Sequence, residues 1–360
     1  MRRRSCPAPS APSLANALAL AALIGSAPTA SRADYEPTGL VQDPKTDESD
    51  ARGACVQGTT LYLISDEAGT QQLNVFDVSD IAGASADFSV PETSLDASGF
   101  TNGVQCVDDV LYAHGANGIR VYDVSSPLAP SIATTRDPGL VYTLFVSGGN
   151  LIATGPFGAA VYSLTDPLAP TLLDTLSIEA DERAYAGTVA GSTLYLGVYN
   201  FDTTTPSLVS ADFSNPADLG MPSSTVVQDF VYHLRPSAGS LLALTNDSAR
   251  LYDISTPSAP LQISSLGLSG RSLTERGDNY IVNGKVFQTT FARAGVPTLT
   301  ETDTFPTGIV TSGLPHLGAA LGDYAFFITS AGAVVLADFL FLDGFEGGDL
   351  SGWDGSSESM

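Results

Sequence analysis

The amino-acid sequence predicts an all-β fold, a single β-propeller of seven four-stranded blades. Three observations lead to this prediction. A segment of the form V-Y-D-V-S-x-P-x-x-P recurs along the chain, a short β-type run precedes each copy, and the copies are spaced by the length of a propeller blade. No long segment after residue 33 shows the i, i+3, i+4, i+7 apolar spacing of an amphipathic helix. Six or eight blades are the alternatives, because the sixth copy departs from the pattern.

Five clear and two weaker copies of the repeat share one polar position. The copies are LNVFDVSD (73–80), IRVYDVSSPLAP (119–130), AAVYSLTDPLAP (159–170), LVSADFSNP (208–216), ARLYDISTPSAP (249–260), GKVFQTTF (284–291) and AVVLADFL (333–340). The shared positions are Asp77, Asp123, Ser163, Asp212, Asp253, Gln288 and Asp338, with a mean spacing of 43.5 residues. An Asp followed two residues later by Ser or Thr readily accepts a backbone N–H group. We therefore interpret these aspartates as corner-stabilising residues rather than as a catalytic set.

Each repeat unit reads as four strands. A β-type run such as LYLIS (61–65) or LYAHG (111–115) lies about ten residues before each shared position, after a turn rich in Gly, Asn, Asp or Ser. Pro-x-x-Pro follows three of the shared positions, as suits a corner before an exposed outer strand. The last unit lacks a fourth strand. We expect TGLVQD (38–43) to pair outside it and close the ring.

The N-terminal segment has the pattern of a secretory signal peptide. Three arginines precede an eleven-residue apolar stretch (14–24), and small residues at Ser31 and Ala33 favour cleavage after position 33. The stretch is short for a membrane span. The predicted organisation is a signal peptide at 1–33, a propeller at 34–340 and an acidic Gly/Ser-rich tail at 341–360. The protein is therefore expected to be exported to the periplasm, the cell surface or the medium.

The charge balance restricts the classes of molecule that the protein is expected to bind. Acidic residues outnumber basic ones by 39 to 15, for a formal charge of −24. Four of the basic residues and no acidic ones precede position 34, so cleavage would leave 11 against 39, or −28. Such a surface argues against nucleic acid as a partner. We expect a monomer without a transmembrane segment after cleavage, which binds a protein, a peptide or a glycan at the envelope.

The repeats resemble those of the LVIVD-repeat family of exported and surface bacterial proteins. The resemblance covers about residues 50–340 and is good in the units of Asp77, Asp123 and Asp253. It implies a surface-associated β-propeller without a defined enzymatic activity. The tail FLDGFEGGDLSGWDG (341–355) resembles a D-G-F-E segment found at the C-termini of many exported proteobacterial proteins. A sorting tag and a solvated tail are both open interpretations of this segment.

One set of positions predicts a binding surface. Counting back nine residues from each second-strand run reaches the start of each innermost strand, and such positions line one mouth of the central channel. They are Arg52, Asn102, Tyr142, Tyr185, Tyr232 and Arg271, with the seventh at Pro315 next to His316. Arg183 and His233 lie beside the ring. Tyr and Arg are enriched in binding hot spots, so we predict a ligand-binding mouth. Channel packing by the tyrosines is the alternative.

The remaining chemistry-bearing residues are few. Cys55 and Cys106 follow the predicted cleavage site, and an exported chain with two cysteines favours a disulfide between them. Buried free thiols are the alternative. The three histidines show no metal-binding spacing. We predict no catalytic residues, no metal and no cofactor, with weak calcium binding by the acidic runs as the exception.

Three functions are compatible with these features, and one of them is a purely structural envelope spacer with no specific ligand. The leading one is a non-enzymatic binding scaffold at the cell envelope or outside the cell. The alternative is a propeller enzyme of lyase or hydrolase type that acts on carbohydrate at the channel mouth, with Tyr185 or His233 as its base. This alternative rests on fold-level analogy, because no nucleophile or phosphate-loop motif is present.

Overall fold

The computed structural model describes most of the predicted propeller. The described residues are 37–42, 49–67, 69–79, 91–237, 239–268, 273–276, 279–282, 285–291, 297–304, 315–321, 324–329 and 333–338. The predicted signal peptide, the C-terminal tail and Arg271 lie outside them. All of the secondary structure in these residues is β-strand, as predicted.

The strands fall into seven four-stranded antiparallel sheets among the described residues, numbered here in chain order. Sheet 1 contains β2 (Ser49–Gln57), β3 (Thr60–Glu67), β4 (Thr70–Asp77) and β5 (Thr93–Asp96). Sheet 2 contains β6 (Gly103–Val107), β7 (Val110–Gly115), β8 (Gly118–Asp123) and β9 (Ser131–Arg136). Sheet 3 contains β10 (Thr143–Ser147), β11 (Asn150–Gly155), β12 (Gly158–Ser163) and β13 (Thr171–Leu176).

The later sheets follow the same order. Sheet 4 contains β14 (Glu182–Ala190), β15 (Thr193–Asn200), β16 (Thr205–Asp212) and β17 (Ser223–Val226). Sheet 5 contains β18 (Val231–Ser237), β19 (Ser240–Thr245), β20 (Ser248–Asp253) and β21 (Leu261–Gly267). Sheet 6 contains β22 (Thr274–Arg276), β23 (Asn279–Val282), β24 (Lys285–Phe291) and β25 (Pro297–Thr304). Sheet 7 contains β26 (Pro315–Leu321), β27 (Tyr324–Thr329), β28 (Ala333–Asp338) and, outside β28, β1 (Pro37–Gln42).

The first strand of each unit faces the neighbouring units. β2 contacts β6, β6 contacts β10, β10 contacts β14 and β14 contacts β18, while β22 contacts β26 and β26 contacts β2. Sheets 5 and 6 meet through β20 and β21 against β25. The contacts therefore return from the last sheet to the first. These innermost strands surround the axis of the ring, and the fourth strands form its rim.

The hydrophobic core lies between neighbouring sheets rather than within any one of them. Tyr62 and Leu73 of sheet 1 pack against Leu111 and Tyr122 of sheet 2, and all four are fully buried. Comparable clusters fill the next four boundaries, up to the one between sheets 5 and 6. A single four-stranded sheet has two apolar faces, and radial stacking buries both.

One strand pairing joins the first and last strands of the chain, and one disulfide joins sheets 1 and 2. β1 pairs antiparallel with β28, so the strand expected near 38–43 lies at the outer edge of the last sheet. A disulfide joins Cys55 of β2 to Cys106 of β6, with 5.9 Å between their Cα atoms. The same strands approach closely at Gly53, where a Cβ atom would lie 2.7 Å from the Cα of Gly103. Only glycine fits at this contact.

The repeated polar positions form the predicted corners. The carboxylates of Asp77, Asp123, Asp212 and Asp253 each accept the backbone N–H two residues later, at 2.8–2.9 Å. The Ser163 hydroxyl does the same at 3.2 Å. These hydrogen bonds confirm the corner-stabilising interpretation.

A repeated tyrosine ties these corners to the preceding sheet. Tyr62 of sheet 1 donates its hydroxyl hydrogen to the carbonyl of Pro127 at 3.0 Å, and Tyr112 of sheet 2 donates to Pro167 at 2.8 Å. Both prolines begin a Pro-x-x-Pro corner of the following sheet. The repeat therefore encodes contacts between sheets as well as within them.

Candidate functional site

The predicted ring positions coincide with β-bulges. Register shifts in the innermost strands leave Arg52, Tyr185, Tyr232 and His316 as extra residues between paired neighbours. A bulge re-aims a side chain locally and is common beside functional sites. The recurrence of this irregularity at equivalent positions in four sheets explains why a fixed count along the sequence found them.

Two other ring positions lie directly before their strands. Asn102 precedes β6, and its backbone N–H donates to His114 at 2.8 Å; Tyr142 precedes β10, and its N–H donates to Thr154 at 2.8 Å. The Asn102 side chain donates to the carbonyl of Val141 at 2.8 Å, which ties sheet 2 to the start of sheet 3. Both residues therefore lie at the same end of the ring as the bulges.

The seventh position requires a correction. The count reached Pro315, but His316 is the bulged residue. Strand pairing shows the cause of the shift. Tyr324, the start of the count in sheet 7, pairs with the shared repeat position Asp338. In sheet 1 the residue that pairs with the shared position Asp77 is Thr60, whereas the count starts one residue later, at Leu61. The correct equivalent is His316.

Six aromatic side chains form one contact network at this end, here called the aromatic mouth. They are Tyr142, Tyr185, Tyr199, Phe201, Phe230 and Tyr232. The network runs from sheet 3 through sheet 4 to sheet 5. Five of the rings are half-buried, and the sixth is exposed. The sequence count therefore located three of its members and missed three.

The rings contact one another in order along the mouth. Tyr142 and Tyr185 stack with centroids 4.5 Å apart and an interplanar angle of 17°. Phe230 lies 4.6 Å from Tyr185 and 4.7 Å from Tyr232 in tilted arrangements. Tyr199 lies 5.4 Å from Phe230. Offset and tilted ring pairs at these separations are mutually stabilising, so the mouth is a preorganised surface.

Phe201 forms the outer end of the network. Its ring meets Tyr199 edge-on at 5.0 Å and is 52% exposed, although phenylalanine has no polar atom to present to water. The Arg183 guanidinium lies 6.0 Å from the Phe201 centroid. The same guanidinium donates to the carbonyls of Ala180 and Glu182 at 2.8 and 2.7 Å, so it also holds the loop before β14.

Polar contacts hold the backbone that carries the rings. Thr143 donates its hydroxyl hydrogen to the carbonyl of Tyr185 at 2.7 Å, which couples sheets 3 and 4 at one of the stacked tyrosines. The His114 Nε2 atom lies 3.3 Å from the carbonyl of Tyr142. Arg250, which is buried, forms an ion pair with Asp229 and a hydrogen bond with Gln228. These contacts hold the segment that ends in Phe230.

Burial shifts the pKa of two side chains at this end, Tyr185 and His114. Desolvation, reinforced by the neighbouring Tyr142 hydroxyl, raises the pKa of Tyr185 to about 12, so its phenol stays protonated at neutral pH. Desolvation lowers the pKa of His114 to about 4, and this imidazole is therefore neutral. Neither group is poised to exchange a proton near pH 7.

The other predicted site residues are less connected to the mouth. Arg52 is exposed on β2, and His233 is half-buried on β18 next to Tyr232. His316 lies on β26 at the equivalent position. Within the described ranges, no group of three or more His, Cys, Asp or Glu side chains is placed to hold a metal ion.

A cavity of about 360 Å³ lies at the opposite end, between sheets 4 and 5. Its wall includes Thr193, Asp212, Met221 and Pro257. At this boundary Tyr195 of sheet 4 makes no hydrogen bond to the Pro-x-x-Pro corner of sheet 5, unlike Tyr62 and Tyr112 at the first two boundaries. The cavity is separate from the aromatic mouth.

Comparison with solved structures identifies the fold class. A chain of the mitotic checkpoint complex superposes with a TM-score of 0.61 at 11% identity, over 84% of this chain and 94% of that one. The N-terminal domain of Nup159 gives a TM-score of 0.53 at 9% identity, over 85% and 95%. BamB from Moraxella catarrhalis gives 0.51 at 13%, over 80% and 83%. The fold is a β-propeller.

These similarities confirm the predicted fold class and extend no further at such low identity. No protein-family model matches the chain, and no curated protein matches it by sequence. The likeness to LVIVD repeats stays an interpretation of the sequence. No helix in the described part of the chain has the length and apolar character of a membrane span.

Proposed function

We propose that this protein is an exported, non-enzymatic β-propeller that binds a protein partner through its aromatic mouth. The observation that carries the proposal is the continuous network of six rings across three sheets at one end of the ring. Propellers resembling it include a chain of a multiprotein checkpoint assembly. Export rests on the signal-peptide pattern of residues 1–33 and is part of the proposal.

Partial exposure of the rings supports binding over channel packing. A ring that serves only the core is removed from water, as Tyr62 and Tyr112 are. Phe201 instead exposes about half of its surface, and the half-buried rings behind it continue the same apolar face. Tyr and Phe supply a large contact area with few rotatable bonds, which keeps the entropy cost of binding low.

The test uses the mature chain, 34–360, as bait for envelope proteins. A variant with Tyr142, Tyr185 and Tyr232 changed to Ala removes three rings of the mouth. A control variant with Ile132, Leu172 and Val226 changed to Ala removes exposed apolar side chains from the outermost strands. All three proteins are first shown to unfold cooperatively in urea.

We expect a specific partner to be retained by the wild type and by the rim control, and to be lost by the mouth variant. Retention by the folded mouth variant would contradict the proposal. Turnover of uronates or glycosides by the wild type, lost in the mouth variant, would instead support the carbohydrate-enzyme alternative.

A further inference from the structure

We propose that the aromatic mouth recognises a positively charged segment of its partner, rich in arginine. This inference rests on the proposed function and specifies the chemistry of the ligand. Two independent features support it: the rings themselves, and the carboxylates that surround their outer end. A guanidinium is attracted both to the face of an aromatic ring and to a nearby carboxylate.

The outer end of the mouth is surrounded by exposed carboxylates. Glu179 and Asp181 lie in the loop before β14, and Asp202 follows Phe201 in the turn between β15 and β16. The two segments are joined, because the Phe201 N–H donates to the carbonyl of Asp181 at 2.9 Å. Arg183 is the cation within this group, and it already contacts two backbone carbonyls. The local charge is therefore negative around an exposed ring.

The whole chain reinforces this local field. A formal charge of −24 attracts a cationic segment and repels an anionic one, which raises the rate of productive encounters. A neutral glycan can stack on the rings and donate hydroxyl hydrogens to the carboxylates, but it gains nothing from the net negative field. An acidic peptide would be repelled by the carboxylates. Charge complementarity therefore selects a cationic protein segment among the ligands that stack on aromatic rings.

The protein already makes the proposed contact between its own residues at this end. The Arg120 guanidinium lies 4.1 Å from the centroid of Phe100, just before β6, and its Nη1 atom lies 3.8 Å from the carboxylate of Asp96. The Arg183 guanidinium makes a longer contact of the same kind, 6.0 Å from the Phe201 centroid. These pairs show the geometry that a partner's arginine would adopt on the exposed parts of the rings.

Binding of defined peptides tests the inference. Four fluorescent decapeptides alternate glycine with arginine, lysine, serine or glutamate, and their affinities for the mature chain are measured by fluorescence anisotropy at 50 and 200 mM salt. The mouth-neutral variant is Glu179→Gln, Asp181→Asn and Asp202→Asn. Its matched control removes the same charge at the opposite end, as Glu92→Gln, Asp108→Asn and Asp218→Asn.

We expect the arginine peptide to bind most tightly, followed by lysine, with no measurable binding of the serine or glutamate peptides. The mouth-neutral variant should weaken arginine-peptide binding by about tenfold, and the opposite-end control by about twofold or less. The triple tyrosine variant, which keeps the full charge, should also weaken it by about tenfold. Equal effects of the two neutral variants would mean nonspecific attraction and would overturn the inference.

The outcomes for the two proposals are separable. Capture of a protein that needs the tyrosines, but tolerates the mouth-neutral substitutions, would leave the binding function intact and refute the cationic ligand. Tighter binding of neutral oligosaccharides than of the arginine peptide would likewise refute it. If no protein is captured in a way that depends on the three tyrosines, both proposals are contradicted.

Discussion

The repeated tyrosine of the second strand allows the contacts between sheets to be measured one at a time. Tyr112 is fully buried and donates to the carbonyl of Pro167 at 2.8 Å across the boundary between sheets 2 and 3. Replacement by Phe keeps the ring and deletes only the hydroxyl. A typical intramolecular hydrogen bond contributes about 0.5–1.5 kcal/mol net, so we expect Tyr112→Phe to lower the free energy of unfolding by about 1 kcal/mol.

The chain supplies a matched control for this substitution. Tyr195 occupies the equivalent position in sheet 4 and is equally buried, but its hydroxyl donates no hydrogen bond to the proline corner of the next sheet. Tyr195→Phe should therefore leave stability unchanged within about 0.5 kcal/mol, because no hydrogen bond between sheets is lost. Urea unfolding followed by far-UV circular dichroism gives both values. A loss at Tyr195 equal to that at Tyr112 would refute the reasoning.

Three further predictions concern stability. Replacing Cys55 and Cys106 together with Ser opens a loop whose ends are 51 residues apart and should cost about 4 kcal/mol in the chain-entropy model, seen as a lower urea midpoint; an unchanged midpoint would contradict it. The folded pKa of His114, about 4, lies below its ordinary value, so stability is complete above about pH 6.5 and falls towards pH 4. His114→Gln should flatten this fall in pH-dependent unfolding, and an unaltered pH profile would argue against it. Deleting residues 34–42 removes β1 from the outer edge of β28 and should lower the melting temperature of the whole domain; a variant that melts like the wild type would show that β1 does not hold the ring.

The features that the sequence predicts well are those that repeat. The corner positions recur in every clear copy, and their hydrogen bonds from the N–H two residues later are local, so a short pattern encodes them completely. The bulged positions follow the same logic, because a constant number of residues separates each from the second strand. Tyr185 and Tyr232 are reached by this count alone, and both are bulged residues of their innermost strands.

The features that the sequence count misses do not recur in most of the other copies. Tyr199 lies near the end of β15, Phe201 begins the turn between β15 and β16, and Phe230 lies in the connection before β18. Their membership of the mouth depends on ring packing across sheets, which a count along the chain does not contain. The one available signal is the aromatic residue Phe230, two positions before Tyr232. The shift at His316 has the same origin, because strand pairing rather than sequence defines where a run begins.

Site-specific photo-crosslinking tests most directly whether the aromatic mouth is the binding surface. A photo-reactive phenylalanine is placed at Phe201, which is 52% exposed in the mouth, and in a separate protein at Met221, which is 92% exposed at the opposite end. Irradiation in an envelope extract should yield a crosslinked partner from position 201 and none from position 221, and the tyrosine substitutions should abolish it. A crosslink from position 221 alone would contradict the assignment of the mouth as the binding surface.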